Sequence, residues 1–136
     1  MTAAATAVRV IDADTHLTEP ADLWTARMPA RFRDLAPRVV YDDSTRAWRW
    51  LIGDRLGSMV ANYSVAGWPE FPPSCPPSLD EANPAAYDSK ARLAHMDDNG
   101  IYAQVLYPNI LAFEGFAVMA LKDEDLKLAC VRTYND

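Results

Sequence analysis

Asp14 and His16 are the pair best placed to do chemistry in this chain. They lie one residue apart in Asp12-Ala13-Asp14-Thr15-His16, directly after the apolar run Val8-Arg9-Val10-Ile11. Side chains at i and i+2 of a strand point the same way, so a carboxylate and an imidazole can converge on one divalent ion. The C-terminal ends of strands are also where barrel and open α/β folds collect their functional groups. Bland alternatives stand beside this one: His16 as a hydrogen-bonded residue of a strand-to-loop turn, and Asp14 as a cap on that turn.

The elements that must position the pair can be read along the chain. Residues 8–14 form a mostly apolar strand of the kind buried in a parallel sheet. Pro20 suits the first position of a short helix through Trp24, which Pro29 interrupts. Arg38–Tyr41 and Ala47–Ile52 are β-prone and are separated by the turn formers Asp42-Asp43-Ser44-Thr45, which predicts a hairpin. In its second strand Trp48 and Trp50 share one face and Arg49 takes the other. Residues 53–86 read as a long irregular loop, broken by Pro69, Pro72, Pro73, Pro76, Pro77 and Pro84.

Order returns with Asp88 as the cap of a helix from Ser89 to Asn99, with Leu93 and Met96 on its inner face. Gly100 ends it in the left-handed position. Tyr102–Tyr107 is a second strand, stopped by Pro108. Strand, helix and strand make a βαβ unit with a hairpin and a loop inserted in its crossover. Asp123 caps a last helix carrying Leu126, Ala129, Cys130 and Tyr134 on one stripe.

The chain has 136 residues, half of them apolar, and a net charge of −6. This fits a folded domain and argues against nucleic acid or an anionic membrane as partner, since phosphate binding needs a basic patch. No apolar run reaches membrane-spanning length. Residues 1–7 read as a disordered tail with no secretory pattern, and the expected compartment is the cytoplasm. Cys75 and Cys130 are two isolated thiols or, alternatively, one disulfide.

The stretch Ile11-Asp12-Ala13-Asp14-Thr15-His16-Leu17-Thr18-Glu19-Pro20-Ala21-Asp22-Leu23-Trp24 resembles the opening of the amidohydrolase-related family. The similar branch includes aminocarboxymuconate-semialdehyde decarboxylase and the resorcylate-type decarboxylases. Pro37-Arg38-Val39-Val40, Ala91-Arg92-Leu93-Ala94-His95-Met96-Asp97-Asp98-Asn99-Gly100-Ile101, Gln104-Val105-Leu106-Tyr107-Pro108 and Arg132-Thr133-Tyr134-Asn135-Asp136 continue the resemblance.

The resemblance implies an α/β fold: the N-terminal portion of a metal-dependent (β/α)8 barrel, with the hairpin and long loop inserted after the first strand. Such a barrel takes about 250 residues, so residues 1–136 are expected to form a single incomplete domain with two barrel strands. The implied cofactor is a divalent metal ion, zinc first and manganese second. Asp14 and His16 are its implied ligands, and Glu19 is a further ligand or a supporting group. Glu19 also reads simply as the residue before a helix-starting proline.

The implied chemistry is hydrolysis or non-oxidative decarboxylation of a small carboxylate-bearing or cyclic substrate, with the fragment alone inactive and the full-length protein able to form a homo-oligomer. The proline-rich segment 69–77 reads as a lid at the barrel mouth or a protein-binding segment. Arg49 and Arg55 could hold a substrate carboxylate or be ordinary surface arginines. Asn109 could touch substrate or shape a turn, and His95 reads as a solvated helix residue. The competing reading of the whole chain is a non-catalytic α/β interaction module or the remnant of a decayed gene.

Overall fold

The computed structural model describes residues 8–136; the expected tail at 1–7 lies outside them. The apolar run and the Asp-x-His segment form one strand, β1 (Val10–Leu17). It pairs in parallel with β5 (Ile101–Pro108), and these two strands make a sheet of their own. Between Asp12 and Thr15 the register slips by one residue. The extra residue is a bulge, a device that bends a strand and re-aims its side chains.

The crossover from β1 to β5 carries a second, antiparallel sheet of order β2 (Arg38–Asp42), β3 (Ala47–Ile52) and β4 (Arg55–Met59). The expected hairpin is β2–β3, with Asp42 accepting from the Ser44 amide and hydroxyl and from the Thr45 hydroxyl in its turn. Those bonds hold the Asp42 carboxyl down at about 2. Strand β4 corrects the reading of 53–86 as wholly irregular. Gly53 has φ +62° and begins a two-residue turn between the paired Ile52 and Arg55, a geometry that glycine accepts without strain. Two 3₁₀ turns, Leu79–Glu81 and Pro84–Ala86, add further order.

Helix α1 spans Leu23–Arg27, three residues later than the start expected at Pro20. The Pro20 carbonyl instead accepts from the Leu23 amide in the preceding turn. Helix α2 (Ser89–Asp98) is capped by Asp88 on the Ala91 amide, and Gly100 beyond it has φ +66°. Its inner face is not the expected one: Leu93 is 60% exposed and Arg92 is buried. Helix α3 (Gly115–Met119) precedes α4 (Glu124–Asn135), which Asp123 caps on the Leu126 amide.

The core lies between α1, α3, α4 and the antiparallel sheet. Trp24 and Trp50 meet edge-to-face with ring centroids 5.4 Å apart, among Met28, Ile52, Ile110 and Leu126. The Trp24 indole N–H donates to the Cys130 carbonyl at 2.9 Å, which joins α1 to α4. Trp48, expected beside Trp50, is half exposed near the hairpin tip and meets Tyr41 edge-on. Both cysteines are free, and burial pushes the Cys130 thiol up to about 11. Among the described residues, no helix is long and apolar enough to cross a membrane.

Candidate functional site

Where β1 and β5 end, six residues interlock across the gap between the strands. The His16 Nδ1–H donates to the Pro108 carbonyl at 3.2 Å. A carbonyl can only accept, so neutral His16 carries its proton on Nδ1 and leaves the Nε2 lone pair free. Asn109 Nδ2 donates to Thr18 Oγ at 3.0 Å. The Ile110 amide donates to Glu19 Oε1 at 2.9 Å. Ser64, from the segment after β4, joins from behind through Thr18, with the hydroxyls 2.6 Å apart.

Asp14 sits on the bulge with its side chain 87% exposed, and its Oδ1 is 3.9 Å from His16 Nε2. The carboxylate that caps the local turn is Asp12, which accepts from the Asp14 amide and the Thr15 hydroxyl. Those two bonds, the Thr15 one foremost, hold the Asp12 carboxyl below its usual range. Asp14 is thereby spared for other duty. Two donors on one tetrahedral zinc, each at 2.0–2.1 Å, stand about 3.4 Å apart. The observed 3.9 Å lies about 0.5 Å beyond that spacing, so the donor types and their separation are compatible with two ligands of a divalent ion.

Glu19 is placed differently from the other two. It is 1% exposed, lies beneath the β5–α3 connection, and its Oε2 has no hydrogen-bond partner. Loss of water pushes its pKa up to about 7, against the opposing pull of the Ile110 amide. Among the described residues no three His, Cys, Asp or Glu side chains stand together as a metal-binding group, so Glu19 does not join Asp14 and His16 in a set of three.

Aromatic rings enclose one side of His16. Phe113 stacks on the imidazole with centroids 4.6 Å apart, and Tyr63 stacks on Phe113 at 4.5 Å. Beneath the sheet, the Arg92 guanidinium donates to the His16 carbonyl at 3.1 Å and to Gln104 Oε1 at 3.2 Å. Gln104 in turn donates to Asp12 Oδ2 at 3.1 Å, so α2 is pinned to both strands. Burial lowers the Arg92 pKa.

Sequence reasoning missed Arg92, Thr18 and Phe113. Their types are common, and nothing local marks them. Pro108 did carry a signal: with no N–H it cannot donate to the ladder, and its carbonyl at the strand end remains an acceptor. Asn109 is a buried tie to Thr18. Arg49, a candidate carboxylate holder, is engaged with the Gly57 carbonyl at 2.9 Å and with Asp42 at 3.5 Å. His95 is exposed, as expected.

The fold is similar to that of a known protein. The crystal structure of an amidohydrolase from Mycobacterium avium subsp. paratuberculosis K-10 aligns with a TM-score of 0.65 at 22% identity. The alignment covers 96% of this chain and 38% of that one, so this chain spans well under half the length of the protein it resembles. No protein-family model matches the chain, and no curated protein does.

Proposed function

We propose that the chain is the first part of a metal-dependent amidohydrolase-type barrel enzyme, in which Asp14 and His16 are the first ligands of a divalent ion at the end of the first barrel strand. One observation carries the reading: His16 holds its proton on Nδ1, against the Pro108 carbonyl, and keeps Nε2 free beside the exposed Asp14 carboxylate. Metal-bound histidines generally donate their other ring N–H in this way. The imidazole and carboxylate donor set suits zinc, with manganese as the second choice.

The uncovered β1–β5 sheet supports the same reading. Parallel sheets are normally covered on both faces, yet Val10, Ile11, Tyr102, Val105, Leu106 and Tyr107 are all at least 43% exposed. Full cover would add on the order of 5 kcal/mol, a large share of a domain's net stability. Further barrel strands are the cover this reading assigns.

The bound ion would supply Lewis-acid activation of a small carboxylate-bearing or cyclic substrate. Hydrolysis is favoured over non-oxidative decarboxylation by the likeness to an amidohydrolase. His16 and Asp14 would hold the ion, while Phe113, backed by Tyr63, covers one face of the imidazole. With two ligands where a catalytic zinc uses three, the chain by itself binds the ion weakly and is inactive.

Zinc titration of the full chain, followed by NMR, tests this. The expected result is a weak saturable site that shifts His16 and disappears in His16→Ala. Identical titrations of wild type and His16→Ala would overturn the reading and leave the non-catalytic module in its place.

A further inference from the structure

Residues leaving β1 grip three consecutive residues leaving β5: His16 to Pro108, Thr18 to Asn109, and Glu19 to Ile110. These contacts continue the pairing of the strands by side chains, past Leu17 and Pro108 where the backbone register ends. Thr18, Glu19 and Asn109 are all buried, whereas His16 reaches the surface. The Asn109 carbonyl also accepts from the Phe113 amide at 2.7 Å, and the Phe113 ring lies on the imidazole.

We infer that Thr18, Glu19 and Asn109 are positioning residues for His16: they hold the Pro108 carbonyl and Phe113 against the ring, and so keep the proton on Nδ1 and Nε2 free. The inference deepens the proposed function and rests on it for the ion, but not for the tautomer. Three facts carry it. Among the described residues no further strand flanks the β1–β5 pair, so past Leu17 and Pro108, where the backbone pairing stops, these side-chain bonds are what tie the two strand ends together. Histidine in water favours the opposite tautomer, with the proton on Nε2, so the structure must impose this one. Each anchor is a buried polar group with a named partner, and buried polar bonds of this kind fix geometry because breaking one strands its partner without water. Glu19 therefore serves through the loop that it holds.

The experiment is a long-range proton–nitrogen NMR correlation of the imidazoles in the metal-free chain, above the ordinary histidine pKa of ~6.5. The chain has two histidines, which makes the spectrum unambiguous. His95 is the internal contrast, since its Nδ1 faces the Asn99 side-chain nitrogen Nδ2 at 3.3 Å and accepts from it. His16 should show the Nδ1–H pattern and His95 the Nε2–H pattern. Glu19→Ala and Asn109→Ala should move His16 toward the mixture seen in water, while Glu19→Gln, which keeps the acceptor for Ile110, should restore the wild-type pattern.

Wild-type His16 with its proton on Nε2 would overturn the inference without any variant. So would a folded Glu19→Ala chain that keeps the Nδ1–H pattern. If Glu19→Ala does not fold, Thr18→Val removes the hydroxyl's bonds to Asn109 and Ser64 at nearly constant shape, and an unchanged His16 pattern there would equally overturn it. Zinc separates the two claims. An Nδ1–H tautomer whose Nε2 does not respond to zinc supports the positioning role and defeats the ligand reading. A response that is ~10-fold weaker in Glu19→Ala supports both.

Discussion

Around Trp24 the chain is closed on every side. The indole is fully buried, its N–H is bonded to the Cys130 carbonyl, and Trp50 stands edge-on against it. Around Ile11 the chain is open: this side chain is 62% exposed, on a strand whose single neighbour among the described residues is β5. Both regions are rich in large apolar residues. They differ in whether the chain supplies a second layer. The elements inserted in the crossover bring their own partners in α1, α3 and α4, whereas the parallel pair has α2 beside it, pinned through Arg92, and little else. The candidate site lies at the end of the open region, where it is held by polar side-chain contacts and not by surrounding strands.

The largest expected effect is in the closed region. Trp50→Ala should cost about 3–5 kcal/mol, read as a lowered urea midpoint, while Ile11→Ala should stay within ~0.5 kcal/mol. A similar loss for both would mean that the sheet is covered in solution, and sedimentation would then show by how many copies.

Next comes the proton on Glu19. Its pKa is about 7 in the folded chain against an ordinary 4.5, so between those values the folded state holds a proton that the unfolded chain has released. Stability is therefore fully present below about 4.5 and falls as pH rises through 7, by on the order of 3 kcal/mol in all. Urea unfolding across this range should show the decline, and Glu19→Gln should flatten it. A flat wild-type profile would place Glu19 in contact with water.

Smaller effects sharpen the contrast at the site. Asp14→Ala should leave stability within ~0.5 kcal/mol, because the side chain is exposed, and yet weaken zinc binding measurably by titration. Val105→Asp on the open sheet should likewise leave the urea midpoint nearly unchanged while reducing dye binding to exposed apolar surface. A marked loss of stability in Val105→Asp would show that the sheet carries more of the fold than its exposure indicates.

Much of the local structure was legible in the residues. Asp88 and Asp123 cap the helices that follow them, Gly100 takes the left-handed turn, and Asp42 to Thr45 closes the hairpin. These features depend on neighbours a few positions away, so they can be read directly. Gly53-Asp54 is an equally local turn signal, hidden when residues 53–68 are read together with the proline-rich stretch from Pro69 to Pro84. The inner face of α2 was misjudged for a different reason. Apolar spacing marks Leu93, but Arg92 is the residue with buried partners, and those partners come from β1, β5 and the turn before the helix.

By itself the sequence determined that a strand ends in Asp-x-His, that a second strand ends in proline, and that a helix joins them. Only the tertiary structure decided which carboxylate is spent and which is free. Asp12 closes the local turn, Glu19 lies buried beneath a loop, and Asp14 faces water beside His16. It also decided which imidazole nitrogen carries the proton. The reason is physical: backbone preference and capping act within a few residues, whereas burial and tautomer depend on groups such as Pro108 and Ile110, which the chain must fold to bring near.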